Sequence, residues 1–295
     1  MKDIKFLKTF IIHPILDKKE NIDYKLNEII DLASAIDLHI YDTSIVNIDR
    51  INSANFIGSG KVSQYCELVK SNKIDLVIFN YKLTPIQHRN LEKSLNCKVI
   101  DRTSLIIEIF ADRAKTKEGK LQIELIALQH QKSRLVRSWT HLERQRGGFG
   151  FTGGPGETQI ESDRRNIRNQ ISKIKEELLN VKKTRSIHRK SRKKVPYPIV
   201  SLVGYSNAGK TSLFNLLSED TQYVDDKLFA TLDPVMRKVK FDSKKTIILS
   251  DTVGFISDLP TEFVEAFSST LEEVKQADVI LHIVDISNDK HKEQK

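Results

Sequence analysis

The feature that most constrains this 295-residue chain is the segment at residues 204–211, which reads Gly-Tyr-Ser-Asn-Ala-Gly-Lys-Thr. An apolar run at 198–203 precedes it, and residues 212–217 favour a helix. A strand, the pattern G-x-x-x-x-G-K-T and a helix together form a loop whose backbone N–H groups surround phosphate oxygens at the positive end of the helix. We therefore predict that residues 204–211 form a P-loop, which binds a nucleoside triphosphate with Mg2+.

Two later elements have the spacing found in P-loop switch proteins. Asp251 and Gly254 follow a second apolar run, where such proteins place a Mg2+-linked aspartate and a glycine near the γ-phosphate. Lys210 is predicted to bridge the β- and γ-phosphates, and Thr211 and Thr231 are predicted to supply hydroxyl ligands to Mg2+. The predicted nucleotide-binding residues are Gly204, Tyr205, Ser206, Asn207, Ala208, Gly209, Lys210, Thr211, Ser212, Phe229, Ala230, Thr231, Asp251, Thr252, Val253 and Gly254. The predicted metal-binding residues are Thr211, Thr231 and, through water, Asp251.

The switch pattern departs from a Ras-like one at Phe255. A glutamine in this position orients the attacking water, and phenylalanine has no hydrogen-bonding group to do so. We expect slow hydrolysis by the isolated protein, and no catalytic residue is assigned.

The base of the nucleotide is not predicted by these motifs. No N-K-x-D motif follows the strand predicted at 279–284, and the chain ends at Lys295. We expect a GTPase-type domain that is incomplete at its C-terminus, with an apolar strand that lacks a neighbour on one side.

The first third of the chain alternates strand and helix patterns. Strands are predicted at 5–12, 38–41, 74–79 and 98–100, and helices at 24–35, 61–71 and 84–95. This alternation is typical of a small, mostly parallel α/β domain. The Gly-Ser-Gly-Lys at 58–61 lacks the spacing of a phosphate fingerprint, and we interpret it as a turn before a helix.

Two long amphipathic segments follow, with apolar residues at roughly 3.5-residue spacing. They flank a loop at 147–156 that contains six of the 12 glycines, and the Val-Pro-Tyr-Pro at 195–198 ends the second segment. We predict an antiparallel helical hairpin with a glycine-rich tip. The predicted domains are an α/β domain at 1–103, the hairpin at 104–194 and a P-loop domain with a partial parallel sheet at 195–295.

The positive charge is concentrated in one segment. The net charge is +9, and residues 164–194 carry 13 Lys and Arg against two acidic residues. Such a stripe indicates a polyanionic partner, usually nucleic acid, and the alternative is a solvated charged helix face. Phe149 and Phe151 in the glycine-rich tip are either base-stacking residues or a hydrophobic clasp that closes the loop.

Composition excludes several other classes. No apolar run approaches the roughly 20 residues of a membrane span, and the N-terminus has no signal-peptide pattern. Cys66 and Cys97 have no metal-type spacing, and the eight histidines form no H-x-x-x-H pair. We expect a monomeric protein in a reducing cytoplasm.

The chain resembles the HflX family of ribosome-associated GTPases along its whole length. The segments that carry the resemblance lie at 87–92, 101–103, 109–114, 116–122, 146–150, 154–157, 163–165, 228–234, 251–256 and 281–285. The resemblance implies an α/β domain, a helical hairpin and a GTPase domain that binds GTP, or ATP in some members, with Mg2+. It also implies binding to the large ribosomal subunit, with the hairpin near rRNA, and splitting or rescue of stalled or idle ribosomes. A location at the ribosome or at the periphery of a membrane follows from it.

The sequence motifs are compatible with three functions. The first is a GTPase that acts on the large ribosomal subunit. The second is an RNA- or ribosome-binding protein whose incomplete nucleotide switch does not function. The third is a P-loop ATPase.

Overall fold

The computed structural model describes residues 6–17, 21–145, 155–192, 197–218, 228–229, 231–232, 235–240, 245–260, 263, 274–287 and 291. The chain divides into two compact units. The first unit is Met1–Ile109 with Leu128–Asn169, and the second unit is Phe110–Ala127 with Gln170–Lys295.

The first unit contains a four-stranded parallel sheet. Its elements are β1 (Lys8–Ile15), α1 (Ile22–Ser34), β2 (His39–Asn47), α2 (Ser59–Asn72), β3 (Leu76–Phe79), α3 (Pro85–Leu95) and β4 (Lys98–Asp101). The strand order is β2-β1-β3-β4, and every neighbouring pair is parallel. The α/β prediction is confirmed in class, whereas β2 is longer than the predicted 38–41. It extends because it pairs with β1 from His39 to Asn47 at the sheet edge, where its polar residues remain exposed.

Local signals begin and end the helices of the first unit. The Asn21 side chain accepts the Tyr24 N–H at the start of α1. Thr84 and Gln87 form a capping box before α3, which satisfies two backbone N–H groups that a helix N-terminus leaves unpaired. Lys73 and Asn96 end α2 and α3 in the left-handed conformation, a common way to terminate a helix.

A buried polar network joins the carboxyl ends of β1, β3 and β4. Asn80 donates to Nδ1 of His13 at 2.9 Å and accepts from Arg102 at 3.1 Å. Arg102 also forms a buried ion pair with Glu28 of α1. Because a buried charge is costly without its partner, this network holds α1 against the sheet.

Three helices occupy the middle of the chain: α4 (Arg102–Arg113), α5 (Lys117–Gln145) and α6 (Pro155–Arg192). The predicted helical segment from 104 to 146 is therefore divided into two helices. The division falls at Thr116, whose hydroxyl oxygen accepts the Gly119 N–H at 2.9 Å and so caps α5. Of the glycine-rich tip predicted at 147–156, residues 147–154, which include Phe149 and Phe151, lie outside the described residues, and residues 155 and 156 lie in α6.

The second unit contains the P-loop sheet. Its elements are β5 (Ile199–Gly204), α7 (Lys210–Ser218), β6 (Val235–Lys240), β7 (Thr246–Asp251) and β8 (Val279–Ile283). The order is β6-β7-β5-β8, with β5 parallel to β7 and β8, and β6 antiparallel to β7. In this sheet β8 is an edge strand, and its Ile280 is 52% exposed.

The two cysteines are free thiols that are partly buried. Burial raises the pKa of the Cys97 thiol to about 11, which keeps it protonated and unreactive at neutral pH. Within the described ranges, no helix has the length and apolar character needed to cross a bilayer.

The buried ion pair of the first unit generates a stability prediction. Glu28→Ala leaves the Arg102 charge buried without its carboxylate, and we expect the free energy of unfolding to fall by about 3–5 kcal/mol. Urea denaturation followed by circular dichroism measures this change. Glu67→Ala on the exposed face of α2 is the matched control, with an expected change within about 0.5 kcal/mol. Equal stabilities for the two variants would contradict the role given to the pair.

Candidate nucleotide-binding site

The P-loop turns sharply at the end of β5 because Gly204 has no side chain. Its φ is +150°, and a Cβ there would lie 2.2 Å from the carbonyl oxygen of Ile283 in β8. Asn207 and Gly209 also have positive φ, of 63° and 86°. These positions direct the loop from β5 into α7, which begins at Lys210.

The Lys210 side chain lies beneath this loop. It is 6% exposed, and its Nζ donates to the Tyr205 carbonyl oxygen at 2.6 Å. Burial lowers the pKa of Lys210 to about 8, and the nearby Asp251 carboxylate opposes that shift. A phosphate group beside this amine would restore the stability of its charged form.

Three oxygen-bearing side chains meet at the N-terminus of α7. The Thr211 and Thr231 hydroxyls are 2.8 Å apart, and they lie 2.8 and 2.9 Å from Oδ2 of Asp251. Burial raises the pKa of Asp251, and the hydrogen bonds from both threonines oppose the rise. The structure therefore brings together the three residues that the sequence predicts for Mg2+, from three separate segments.

The chemistry of this cluster fits Mg2+. Mg2+ takes oxygen ligands and in nucleotide sites uses one or two protein groups together with phosphates and water. Oδ1 of Asp251 is buried, and among the described residues no donor lies at hydrogen-bonding distance and angle from it. The backbone at Thr252 still acts to lower the pKa of this carboxylate. A cation or its bound water would satisfy that oxygen. Among those same residues, no three His, Cys, Asp or Glu side chains form a separate metal cluster.

The segment after β7 packs directly against the P-loop. The Thr252 hydroxyl donates to the Leu202 carbonyl oxygen at 2.6 Å. Gly254 lies so close to the loop that a Cβ would be 2.6 Å from Cα of Ser206 and 2.8 Å from Nζ of Lys210. A glycine is required here because any side chain would collide with the loop backbone.

Phe255 contacts the P-loop through its backbone. Its carbonyl oxygen accepts the Ser206 N–H at 2.7 Å, and its N–H donates to the Gly204 carbonyl oxygen at 3.2 Å. The side chain is 42% exposed. Phe255 thus forms a parallel β-bridge with Tyr205 of the P-loop.

The segment before Thr231 is held by Ser206. The Phe229 N–H donates to Oγ of Ser206 at 2.8 Å, and Phe229 is buried with a φ of +57°. This conformation costs a bulky residue about 1–3 kcal/mol and persists only where the surroundings enforce it.

The other predicted site residues occupy less central places. Ser212 is exposed on α7 and Val253 is buried behind the loop, whereas Ala230 lies outside the described residues. Sequence reasoning missed Phe110 and Phe263: the Phe110 ring packs against the ring of Phe229 and against the ring of Phe263. Their only signal was the position of Phe110 in a segment that carries the family resemblance.

The strand–loop–helix unit, the buried lysine and the threonine–aspartate cluster define a P-loop nucleotide-binding protein. We call the segment that contains Phe229 and Thr231 the first switch segment and the segment at 251–255 the second switch segment. Three family models match consecutive parts of the chain. They are a GTP-binding GTPase N-terminal model at residues 23–111, a GTP-binding GTPase middle-region model at 113–192 and a 50S ribosome-binding GTPase model at 199–295.

Relatives give the family. The GTPase HflX of Alkalihalophilus pseudofirmus is 43% identical over 98% of this chain and 69% of its own length. The GTPase HflX of Magnetococcus marinus is 52% identical over 89% of this chain and 61% of its own length. That of Escherichia coli is 52% identical over 79% of this chain and 54% of its own length. The chain belongs to the HflX family of GTPases, and it spans about half to two thirds of these relatives.

A solved structure has a similar fold. The structure of the protein SsGBP with GDP matches with a TM-score of 0.53 and 26% identity, over 94% of this chain and 72% of that one. A GTP-binding protein of Sulfolobus solfataricus in complex with GDP matches with a TM-score of 0.52 and 24% identity, over 97% of this chain and 73% of its own, which supports the fold alone.

The depressed pKa of Lys210 predicts a pH dependence of nucleotide binding. Bound phosphates favour the ammonium form and raise the pKa above about 8. Affinity is therefore greatest below pH 8 and falls about tenfold per pH unit above it, until the bound-state pKa is reached. Titration of a fluorescent GTP analogue between pH 7 and 9 measures this slope. Lys210→Met should bind weakly with a flatter slope, because any slope that remains comes from protons lost by the nucleotide. Parallel slopes for the two proteins would exclude Lys210 as the titrating group.

The space around Gly254 and Gly60 predicts opposite changes in stability when each glycine is replaced by alanine. Gly254→Ala pushes the segment away from the P-loop and should lower the free energy of unfolding by about 1–3 kcal/mol. Gly60→Ala in α2 meets no atom within 4 Å and should raise stability by about 0.5–1 kcal/mol, because alanine favours a helix. Urea denaturation of both variants tests the pair. A Gly254→Ala variant as stable as the parent would argue against the contact.

Proposed function

We propose that this chain binds GTP with Mg2+, hydrolyses it and acts on the large ribosomal subunit. The observation that carries the proposal is the meeting of Thr211, Thr231 and Asp251 within 2.9 Å at the end of the P-loop. The cluster joins Thr211 of the P-loop to Thr231 and Asp251, one from each switch segment. A Mg2+–triphosphate complex that contacts all three would therefore favour the conformation in which both segments lie against the P-loop.

Each residue has a defined part in nucleotide binding. Backbone N–H groups of residues 209–211, at the start of α7, would point toward the phosphates, and the Lys210 ammonium would neutralise their charge. Thr211 and Thr231 would hold Mg2+, with Asp251 behind its bound water. When bound, Mg2+ supplies charge neutralisation for the leaving and transferred phosphoryl oxygens.

Hydrolysis by the chain alone should be slow. The Phe255 side chain has no donor or acceptor to orient the attacking water, and its backbone is engaged with the P-loop. The proposal therefore includes a partner that supplies or positions a hydrogen-bonding group for the attacking water. The partner that fits the remaining features is the ribosome.

Support for guanine comes from the family and from a structural relative. The matched family models are described as GTP-binding, and the solved relative contains GDP. The described residues include no base-recognition motif of their own, and a preference for GTP over ATP belongs to this proposal.

Support for a ribosomal partner comes from the description of the P-loop domain model and from charge. Residues 199–295 match a 50S ribosome-binding GTPase model. The basic segment at 164–194 falls mainly on α6, where Arg165 is exposed. A row of cations on one helix binds phosphate backbones with strong salt dependence. Splitting or rescue of stalled or idle ribosomes is the finer activity that we propose.

One alternative function has its own supporting observation. The basic charge of α6 and the P-loop cluster lie on different elements, so RNA binding does not require the nucleotide switch. A ribosome-binding protein that does not hydrolyse nucleotide would need only the basic charge of α6.

Turnover measurements with variants separate these functions. We expect GTP hydrolysis by the parent chain to be slow and to rise on addition of large ribosomal subunits. Lys210→Ala should abolish turnover and the nucleotide response while salt-sensitive ribosome binding persists. Arg165→Glu should weaken ribosome binding at low salt and leave GTP affinity unchanged, and Lys61→Glu on exposed α2 is the matched charge control.

The outcomes are distinct. Tight ribosome binding without any effect of GTP would favour the alternative function. Loss of ribosome binding in a folded Lys210→Ala protein would contradict the separation of the two sites. Equal turnover of GTP and ATP would remove guanine from the proposal.

A further inference from the structure

Three phenylalanine rings form a cluster beside the nucleotide site. Phe110 of α4 lies 4.5 Å from the ring of Phe229 and 5.4 Å from that of Phe263, measured between centroids. All three side chains are at most 2% exposed. We call this set the phenylalanine cluster.

The cluster includes one residue of a segment that forms the nucleotide site. Phe229 lies two positions before Thr231, whereas Phe263 lies beyond the segment that packs on the P-loop, with its N–H donating to the Pro260 carbonyl oxygen at 3.0 Å. Phe110 contacts both rings from a helix that belongs to no nucleotide-binding motif.

The conformation of Phe229 depends on these contacts. A phenylalanine with φ near +57° is strained, and two interactions oppose its relaxation. The first is the hydrogen bond from its N–H to Ser206, and the second is the packing of its ring on Phe110. If the ring were released, the turn at 228–229 would be free to adopt an unstrained conformation.

We propose that Phe110 is a positioning residue of the nucleotide site, which holds Thr231 against Thr211 and Asp251 through the ring of Phe229. The inference rests on the proposed Mg2+–nucleotide function of that cluster. Phe110 touches neither the nucleotide nor the metal. Its expected effect is on the gain in nucleotide affinity that Mg2+ provides.

The experiment compares nucleotide affinity with Mg2+ and with EDTA. In the parent chain, Mg2+ should strengthen the binding of a non-hydrolysable GTP analogue. Phe110→Leu keeps an apolar side chain and removes the ring contacts. We expect it to reduce the Mg2+ effect about ten- to a hundredfold, as for residues that orient metal ligands, with affinity in EDTA unchanged.

A matched control is available in the first unit. Phe56 is also 2% exposed and also has two aromatic neighbours, Phe79 at 5.0 Å and Tyr81 at 5.1 Å. Phe56→Leu makes the same chemical change at a ring that is equally buried among aromatic neighbours but lies far from the nucleotide site in sequence. It should leave the Mg2+ effect at the parental value.

A double-mutant cycle with Thr231→Ala tests the route of the effect. If Phe110 acts through Thr231, the double variant should lose no more of the Mg2+ effect than Thr231→Ala alone. Additive losses, or a parental Mg2+ effect in Phe110→Leu, would overturn the inference. Should Phe110→Leu not fold, Phe110→Met supplies the same comparison, because methionine fills the space and packs against rings without the aromatic geometry. A parent chain with no Mg2+ effect would overturn the proposed function itself and this inference with it.

Discussion

The buried carboxylate of Asp251 is the group around which the second unit is organised. Removing a carboxylate from water is costly unless hydrogen bonds or cations compensate, and burial raises its pKa accordingly. The compensation comes from Thr211 at the start of α7 and from Thr231 in a separate segment. Three separate parts of the chain therefore meet at this carboxylate. The same arrangement creates an all-oxygen site suited to Mg2+.

A second constraint is the close backbone packing at two glycines of the nucleotide site. Gly204 and Gly254 allow backbone to approach where any Cβ would collide with a neighbouring strand or with the loop. This close packing lets Phe255 form its two backbone hydrogen bonds with the loop. The P-loop and the segment at 252–255 are therefore in direct backbone contact. Family membership and this geometry together support a nucleotide-controlled protein, with the ribosome as its proposed partner.

Much of the architecture could be predicted from local pattern. The capping residue Thr84, the apolar runs of β1 and β3 and the strand–loop–helix context of the P-loop each act over a few residues. Prediction was less accurate in two places. The polar half of β2 is a strand because β1, about 30 residues earlier in the chain, supplies its hydrogen bonds. The second place is Thr116, a local cap that begins α5 inside a continuous apolar pattern. The predicted domain boundaries and hairpin geometry stay predictions.

The sequence by itself determined the ligand class, because the P-loop and the Asp-Thr-Val-Gly of residues 251–254 specify their chemistry through spacing along the chain. It also predicted three residues for Mg2+ binding, and that assignment stays a prediction. Only the tertiary structure decided that Thr231 reaches Thr211 and Asp251, and that Phe110 packs against the strained Phe229. Contacts between residues 20 or more positions apart leave no periodic pattern in a single sequence. They arise from burial, which depends on the whole fold.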